Sequence, residues 1–117
     1  MSLKIDLRPQ ETLYVGNSTI LVASDERSTL IIDGTLPVLR ERDYVHADQA
    51  TTPLLLLIRA VQIHYLSPGA TSLADIYRVY FGYEYEHPSA LKEAMRCVAE
   101  GDTYKALRLL RAARATP

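Results

Sequence analysis

Leu3, Ile5 and Leu7 alternate with Lys4, Asp6 and Arg8 at the start of the chain, the two-residue period of a strand with one buried face. Pro9-Gln10 interrupts that run. Residues 12–15 and 19–23 are rich in β-branched, aromatic and aliphatic side chains, and Gly16-Asn17-Ser18 reads as the turn between them. Ser24-Asp25-Glu26-Arg27 reads as a second turn, residues 28–32 as a further strand and Asp33-Gly34 as a hairpin dipeptide. Residues 37–40 form a short last strand, with Pro37 at a start position where no backbone donor is needed. Four or five short strands in the first 45 or so residues predict one small antiparallel sheet. Such a sheet is marginal alone, so it must pack on later helices, on a second copy, or on both.

The pattern changes near Thr51. Thr52 is a suitable N-cap and Pro53 a suitable first helical residue. A helix is predicted from there to about Leu66, stopped by Ser67-Pro68-Gly69. Apolar residues nearly surround it, and Arg59, Gln62 and His64 mark a narrow polar side, the pattern of a central, mostly buried helix. Ser72-Leu73-Ala74-Asp75 resembles a capping box with Asp in place of Glu and opens a second helix to about Tyr85. Pro88-Ser89 opens a third, ending at Gly101. Asp102 can cap a fourth, from Thr103 to about Arg114, and the short joint predicts an antiparallel helical hairpin. The fold class expected is α+β: a β-subdomain over residues 1–48 and a helical subdomain over 49–117, packed together as one compact unit.

Composition narrows the function. Hydrophobic residues make up 48% of the 117-residue chain and charged residues 23%, which suits an ordinary globular core. Cys97 is the only cysteine and cannot form an internal disulfide, so a cytoplasmic protein is expected. Lys4, Asp6 and Arg8 interrupt the opening apolar pattern too early for a secretion signal. The apolar run 54–58 ends at Arg59, far short of the roughly 20 residues of a membrane helix, so no membrane association is expected. The net charge of −1 lacks the basic footprint usual in nucleic-acid binding. An RNA function therefore requires local clustering of charge.

No residue set points to catalysis, to a metal or to a cofactor. His46, His64 and His87 are scattered, and none pairs with Cys97 at zinc-site spacing. Cys97 sits beside Met95, Val98 and Ala99 and reads as a buried thiol. Gly16 and Gly34 are isolated turn glycines rather than phosphate loops. The carboxylate pairs Asp25-Glu26 and Glu84/Glu86 read as solvated, and the chain is expected not to be an enzyme.

Aromatic and basic residues remain. Tyr77, Tyr80, Phe81, Tyr83 and Tyr85 crowd into residues 77–85. Tyr77, Tyr80 and Phe81 share one helix face and are expected to seal the helical core, leaving Tyr83 and Tyr85 for exposed contacts. In the last helix, Ala106, Leu107, Leu110 and Ala113 form one side, and Lys105, Arg108 and Arg111 the opposite, basic side. That face is expected to meet phosphate, a carboxylate-rich protein, or only water, with a solvated face as the default. The β half carries Lys4, Arg8, Arg27, Arg40 and Arg42 among seven acidic residues. Strand alternation is expected to put Arg40 and Arg42 on one side, with Glu41 opposite.

Two segments bring in a family. Leu7-Arg8-Pro9-Gln10-Glu11-Thr12-Leu13-Tyr14-Val15-Gly16-Asn17 and Gly101-Asp102-Thr103-Tyr104-Lys105-Ala106-Leu107-Arg108 resemble the FlbT family. Asp33-Gly34, Pro37-Val38-Leu39-Arg40-Glu41, Thr52-Pro53, Ala60-Val61-Gln62 and Tyr65-Leu66 lie between them in matching order. The resemblance implies post-transcriptional control of flagellin in flagellum biogenesis, through the 5′ leader of flagellin messenger RNA, with effects on its translation and decay. It also implies a second small regulator, FlaF, as a partner.

The first 45 or so residues are in addition similar to the carbon-storage regulator (CsrA) family, β-strand dimers that bind GGA-containing leaders. Glu11-Thr12-Leu13-Tyr14-Val15-Gly16 and Pro37-Val38-Leu39-Arg40-Glu41 carry that similarity. It implies RNA contacts at Arg8 and Arg40, and a homodimer. Leu7 replaces a second basic residue of that pattern, Pro9-Gln10 alters the turn, and helices replace the short tail. The resulting expectation is an RNA-contacting edge of Lys4, Arg8, Arg40 and Arg42. The competing expectation is a protein-binding module that grips flagellin, FlaF or a secretion component through Tyr83, Tyr85, Lys105, Arg108 and Arg111.

Overall fold

In a computed structural model of the protein, residues 2–115 are described. The fold is α+β, with antiparallel β structure first and four helices after it. The chain forms two compact units, one ending at Tyr44 and the other beginning at Val45.

The β unit holds five strands, β1 (Ser2–Leu7), β2 (Thr12–Val15), β3 (Ser18–Leu21), β4 (Ser28–Asp33) and β5 (Val38–Arg40). They form two sheets, where the pattern predicted one. β1 pairs with β4, and β2 is the middle strand of a sheet ordered β3-β2-β5. Gly16 and Asn17 alone link β2 to β3, since Val15 faces Ser18 across the pair. Gly16 takes a φ of +58°, the positive first position of a tight hairpin loop. Asp33-Gly34, by contrast, makes no hairpin. Gly34, at φ +139°, lets the chain leave β4 and cross to the other sheet, where β5 pairs with β2. The physical reason lies in the core: Ile5, Leu7, Leu13, Val15 and Val22 bury together, with Leu30, Ile32 and Val38 packed against them. Two small sheets that share one apolar cluster bury both inner faces, which a single five-stranded sheet of this size does not do.

The helical unit contains α1 (Pro53–Leu66), α2 (Leu73–Phe81), α3 (Pro88–Ala99) and α4 (Thr103–Ala115). The predicted caps are in place. The Leu55 N–H donates to Thr52 Oγ1 at 3.2 Å. Ser72 and Asp75 exchange the two bonds of a capping box. Gly101, at φ +87°, ends α3 with its N–H on Val98 O, while the Asp102 N–H reaches Cys97 O. These are the paired bonds of a left-handed glycine terminus. The Asp102 carboxylate then accepts from the Lys105 N–H and starts α4. α4 packs against both α3 and α1. Leu57, Ile58, Val61, Ile76, Leu91, Leu107 and Leu110 fill the space between the helices.

α1 is the central element, and none of its residues is exposed. Its expected polar side is the exception to the pattern: Gln62 is fully buried. A carboxamide carries a donor and an acceptor, like a peptide group. Gln62 Oε1 accepts from the Val45 N–H at 2.8 Å, its Nε2 donates to Val45 O at 3.0 Å, and Arg59 Nη1 donates to the same carbonyl at 2.9 Å. Gln62 thus anchors the segment leading into α1. Gln62→Met is expected to destabilise the helical unit by about 1–3 kcal/mol, because the Val45 N–H stays buried without its acceptor. Urea unfolding followed by helical circular dichroism checks this.

α2 is shorter than predicted. It stops at Phe81, and residues 82–87 form an irregular link to α3. Phe81, expected in the core, is 76% exposed. Ile76 alone of α2 is fully buried, and Tyr77, Val79 and Tyr80 are half-buried around it. One buried turn is all that a nine-residue helix offers the core, so its last residue runs out beyond the packed region.

Candidate functional site

The site in the β unit is built from the link between β1 and β2. Arg8, Pro9, Gln10 and Glu11 form a tight turn closed by the Glu11 N–H on Arg8 O at 3.2 Å. Pro9 fixes the second position. Gln10 takes a φ of +63°, where glycine or asparagine is the usual choice. The turn folds the Glu11 side chain back, so its Oε1 accepts from the Arg8 N–H at 2.9 Å.

Arg40, at the end of β5, reaches across to the same carboxylate. Its Nη2 lies 3.1 Å from Oε1, its Nε lies 3.3 Å from Oε2, and Nη2 also donates to Asp6 O at 2.7 Å. One guanidinium therefore clasps the end of β1, the turn and β5. Glu11 is buried, whereas the Arg40 side chain keeps 30% of its exposure. The hydrogen bond from Arg40 holds the Glu11 carboxyl below its ordinary pKa; burial works against this, and the Arg8 N–H adds to it. Glu11 was not among the expected site residues. Its signal in the sequence is a lone carboxylate two positions after Pro9, at the start of an apolar strand.

A cleft of about 250 Å³ opens over this clasp, lined by Arg8, Pro9, Gln10, Glu11, Arg40, Glu41 and Arg42. Three of the four residues expected at the edge thus meet. They meet by a different route from the one predicted: β5 ends at Arg40, and residues 41–43 form a 3-10 turn. Arg42 is consequently not two positions further along a strand. The turn carries it to the cleft rim, 73% exposed and only 4.0 Å from Asp43. Arg8, also lining the cleft, is exposed. Lys4 is exposed on β1, opposite Ile31, and does not line the cleft.

The residues expected to hold a protein partner lie in the helical unit. Tyr83 is 47% exposed. Tyr85, expected to be open, is half-buried: its ring packs on Tyr80 at 5.8 Å and its hydroxyl donates to Val79 O at 3.1 Å. Burial, aided by the neighbouring Tyr80 and Tyr83, pushes its pKa up to about 12. Lys105 and Arg108 are exposed on α4, Arg111 is half-buried, and Ala106, Leu107, Leu110 and Ala113 face the core. Among the described residues, no three His, Cys, Asp or Glu side chains gather as a metal site, and no helix is long and apolar enough to cross a membrane.

The profile of the family described as "Flagellar protein FlbT" matches residues 3–115. A protein of Rhodopseudomonas palustris (strain TIE-1), named probable flagellum biosynthesis repressor protein FlbT, is 34% identical over 115 residues, covering 95% of this chain and 90% of its own length. A Mesorhizobium japonicum protein of the same name is 33% identical over 117 residues, covering 94% of this chain and 78% of its own. A third, from Bradyrhizobium diazoefficiens and named probable flagellum biosynthesis repressor protein FlbT 1, is 46% identical over 69 residues, 58% of this chain and 47% of its own. No solved structure matches the chain. With a family match that runs from β1 to the end of α4, and relatives aligned across the same elements, the chain belongs to the FlbT family of flagellar proteins.

Proposed function

We propose that this chain is a non-enzymatic regulator of flagellum biosynthesis that binds the 5′ leader of flagellin messenger RNA through its β unit and alters translation or decay of that messenger. Repression is the sign carried by its relatives' names. The observation that supports RNA contact most directly is the cleft shared by Arg8, Arg40 and Arg42. It gathers three arginines beside Glu11 and Glu41, a small local excess of positive charge in a chain of net charge −1.

The roles divide by what each guanidinium already touches. Arg40 is committed to Glu11 and Asp6, so it shapes the cleft and offers only Nη1 beyond the clasp. Arg8 and Arg42, both exposed and lining the cleft, are the groups to meet phosphate in a forked pair or to lie flat on a splayed base. Lys4 adds charge further along β1. A second copy of the chain would double this edge, and the β3 edge strand leaves backbone groups for such pairing. The reading requires a cytoplasmic protein, with a FlaF-type regulator and flagellin as candidate protein partners.

The test is a titration of the purified chain with its own flagellin leader RNA and a scrambled leader, at two salt concentrations. Leader-selective binding that weakens with salt is expected. Arg8→Ala with Arg42→Ala is expected to weaken it about tenfold or more and to lower the salt slope by roughly 0.7 for each phosphate no longer neutralised. Arg40→Ala is a poorer choice, since it also frees the Glu11 carboxylate. Equal affinity for the scrambled leader, or a double variant as tight as the parent, overturns the reading. The alternative, a protein-binding module with indirect effects on RNA, is favoured by the exposed Phe81 and Tyr83. Binding through an apolar patch should not weaken steeply with salt.

A further inference from the structure

The end of α2 carries an aromatic surface that the RNA reading leaves unused. Phe81 is 76% and Tyr83 47% exposed. Phe81 does not stand alone: its ring lies 5.2 Å from Tyr80 and 5.8 Å from Tyr77, and Tyr80 stacks on Tyr85. The Tyr77 hydroxyl donates to Met95 O and the Tyr85 hydroxyl to Val79 O, so the rings beneath Phe81 are pinned by their polar ends. A rigid aromatic shelf with an apolar face toward water is the anchoring chemistry of a protein interface.

Two clefts meet there. One, of about 420 Å³, is lined by Tyr80, Phe81, Tyr83, Glu84, Tyr85 and Pro88. The other, of about 380 Å³, shares Glu84 and Tyr85 and has Leu54, Leu55 and Leu91 in its walls. Charge decides what fits. Among the described residues Glu84 is the only charged one lining the aromatic cleft, and Glu86 joins it in lining the second. Among the described residues neither takes part in an ion pair. Arg78, the nearest cation on α2, is bound to Asp75 at 3.1 Å. Among the described residues Arg114 is the one lysine or arginine lining either cleft, and it lines only the second.

We propose that these clefts dock an extended segment of a partner protein in which a lysine or arginine is flanked by apolar or proline residues. The cation lies over the Tyr80 and Phe81 rings with Glu84 as its counter-charge, and the flanking residues enter the apolar walls on either side. An acidic segment is excluded by Glu84 and Glu86. This surface lies in the helical unit and does not depend on the RNA reading.

The test uses the full chain and three labelled probes: a peptide with one arginine between leucine and proline residues, the same peptide with glutamate for arginine, and oligo(U). The arginine peptide is expected to bind at least tenfold more tightly than the glutamate peptide. Phe81→Ala is expected to weaken it at least tenfold, and Glu84→Arg to reverse the preference. Both positions are exposed, so the variants should fold, and circular dichroism verifies that. Arg8→Ala with Arg42→Ala should leave peptide binding unchanged, which separates this surface from the RNA cleft. Equal binding of the two peptides, or indifference to Phe81→Ala, overturns the proposal. Loss of oligo(U) binding in Phe81→Ala without arginine-peptide binding also overturns it, and assigns the shelf to base stacking.

Discussion

Leu110→Ala is expected to destabilise the helical unit by about 3 kcal/mol, within the 2–5 kcal/mol range for leucine truncation in a packed core. Leu110 is fully buried on the side of α4 that packs with α3 and α1. Ala106 and Leu107 are buried beside it, so little can move in to refill the space without opening the α3–α4 hairpin. For a unit of this size each kcal/mol shifts the midpoint by roughly 4–8 °C, so thermal melting should fall by more than 10 °C. Arg108→Ala, on the exposed side of the same helix, is the control and should stay within about 0.5 kcal/mol of the parent. Helical circular dichroism reads both, because all four helices lie in this unit. Equal effects of the two variants would mean that α4 is not docked through Leu107 and Leu110.

Glu11→Ala is expected to destabilise the β unit by about 3 kcal/mol, at the low end of what breaking a buried ion pair costs. The reduction follows from Arg40, whose side chain keeps 30% exposure and can take up water once its partner is gone. The variant also removes the acceptor of the Arg8 N–H and loosens a turn that holds Gln10 at φ +63°. Glu11→Gln keeps the shape and one acceptor, so about 1–2 kcal/mol is expected.

The same pair sets an acid dependence. The Glu11 pKa is held below its ordinary value of 4.5, so the folded state binds this proton less readily than the unfolded chain. Its stabilising effect is therefore complete above that value and fades as pH falls through the lower, folded pKa. Acid should weaken the β unit, and Glu11→Gln should flatten that part of the curve. NMR resonances of the stacked Tyr14 and Tyr44 rings, 3.7 Å apart, report on this unit separately from the tyrosines of the helical unit.

Much of the fold was legible from local chemistry. Thr52-Pro53, Ser72 with Asp75, and Gly101-Asp102 mark helix ends because caps act within three or four residues of the groups they satisfy. Strand residues 2–7 and the buried stripe of α4 were legible through period, although Leu3, expected on the buried face with Ile5 and Leu7, is exposed. The errors came where a local signal met a distant partner. Asp33-Gly34 has hairpin composition, yet β4 pairs with β1 and β5 with β2. Gln62 reads as the polar side of α1, yet it binds Val45, seventeen residues earlier.

The candidate site divides in the same way. The sequence alone determined that any nucleic-acid contact would need local clustering of charge, because the chain as a whole is near neutral. It also determined an α+β order and the exposure of Lys105 and Arg108 on α4, since both depend on residues close together in the chain, whereas Arg111 of the same predicted face is half-buried. Only the tertiary structure decided that Glu11 takes Arg40 out of the free set, that a 3-10 turn rather than a strand carries Arg42 to the cleft, and that Phe81 stands in water while Tyr85 is held down. Periodicity says which side of an element faces inward. Which guanidinium finds a carboxylate, and where a short helix runs past its core, depends on elements that meet only when the chain is folded.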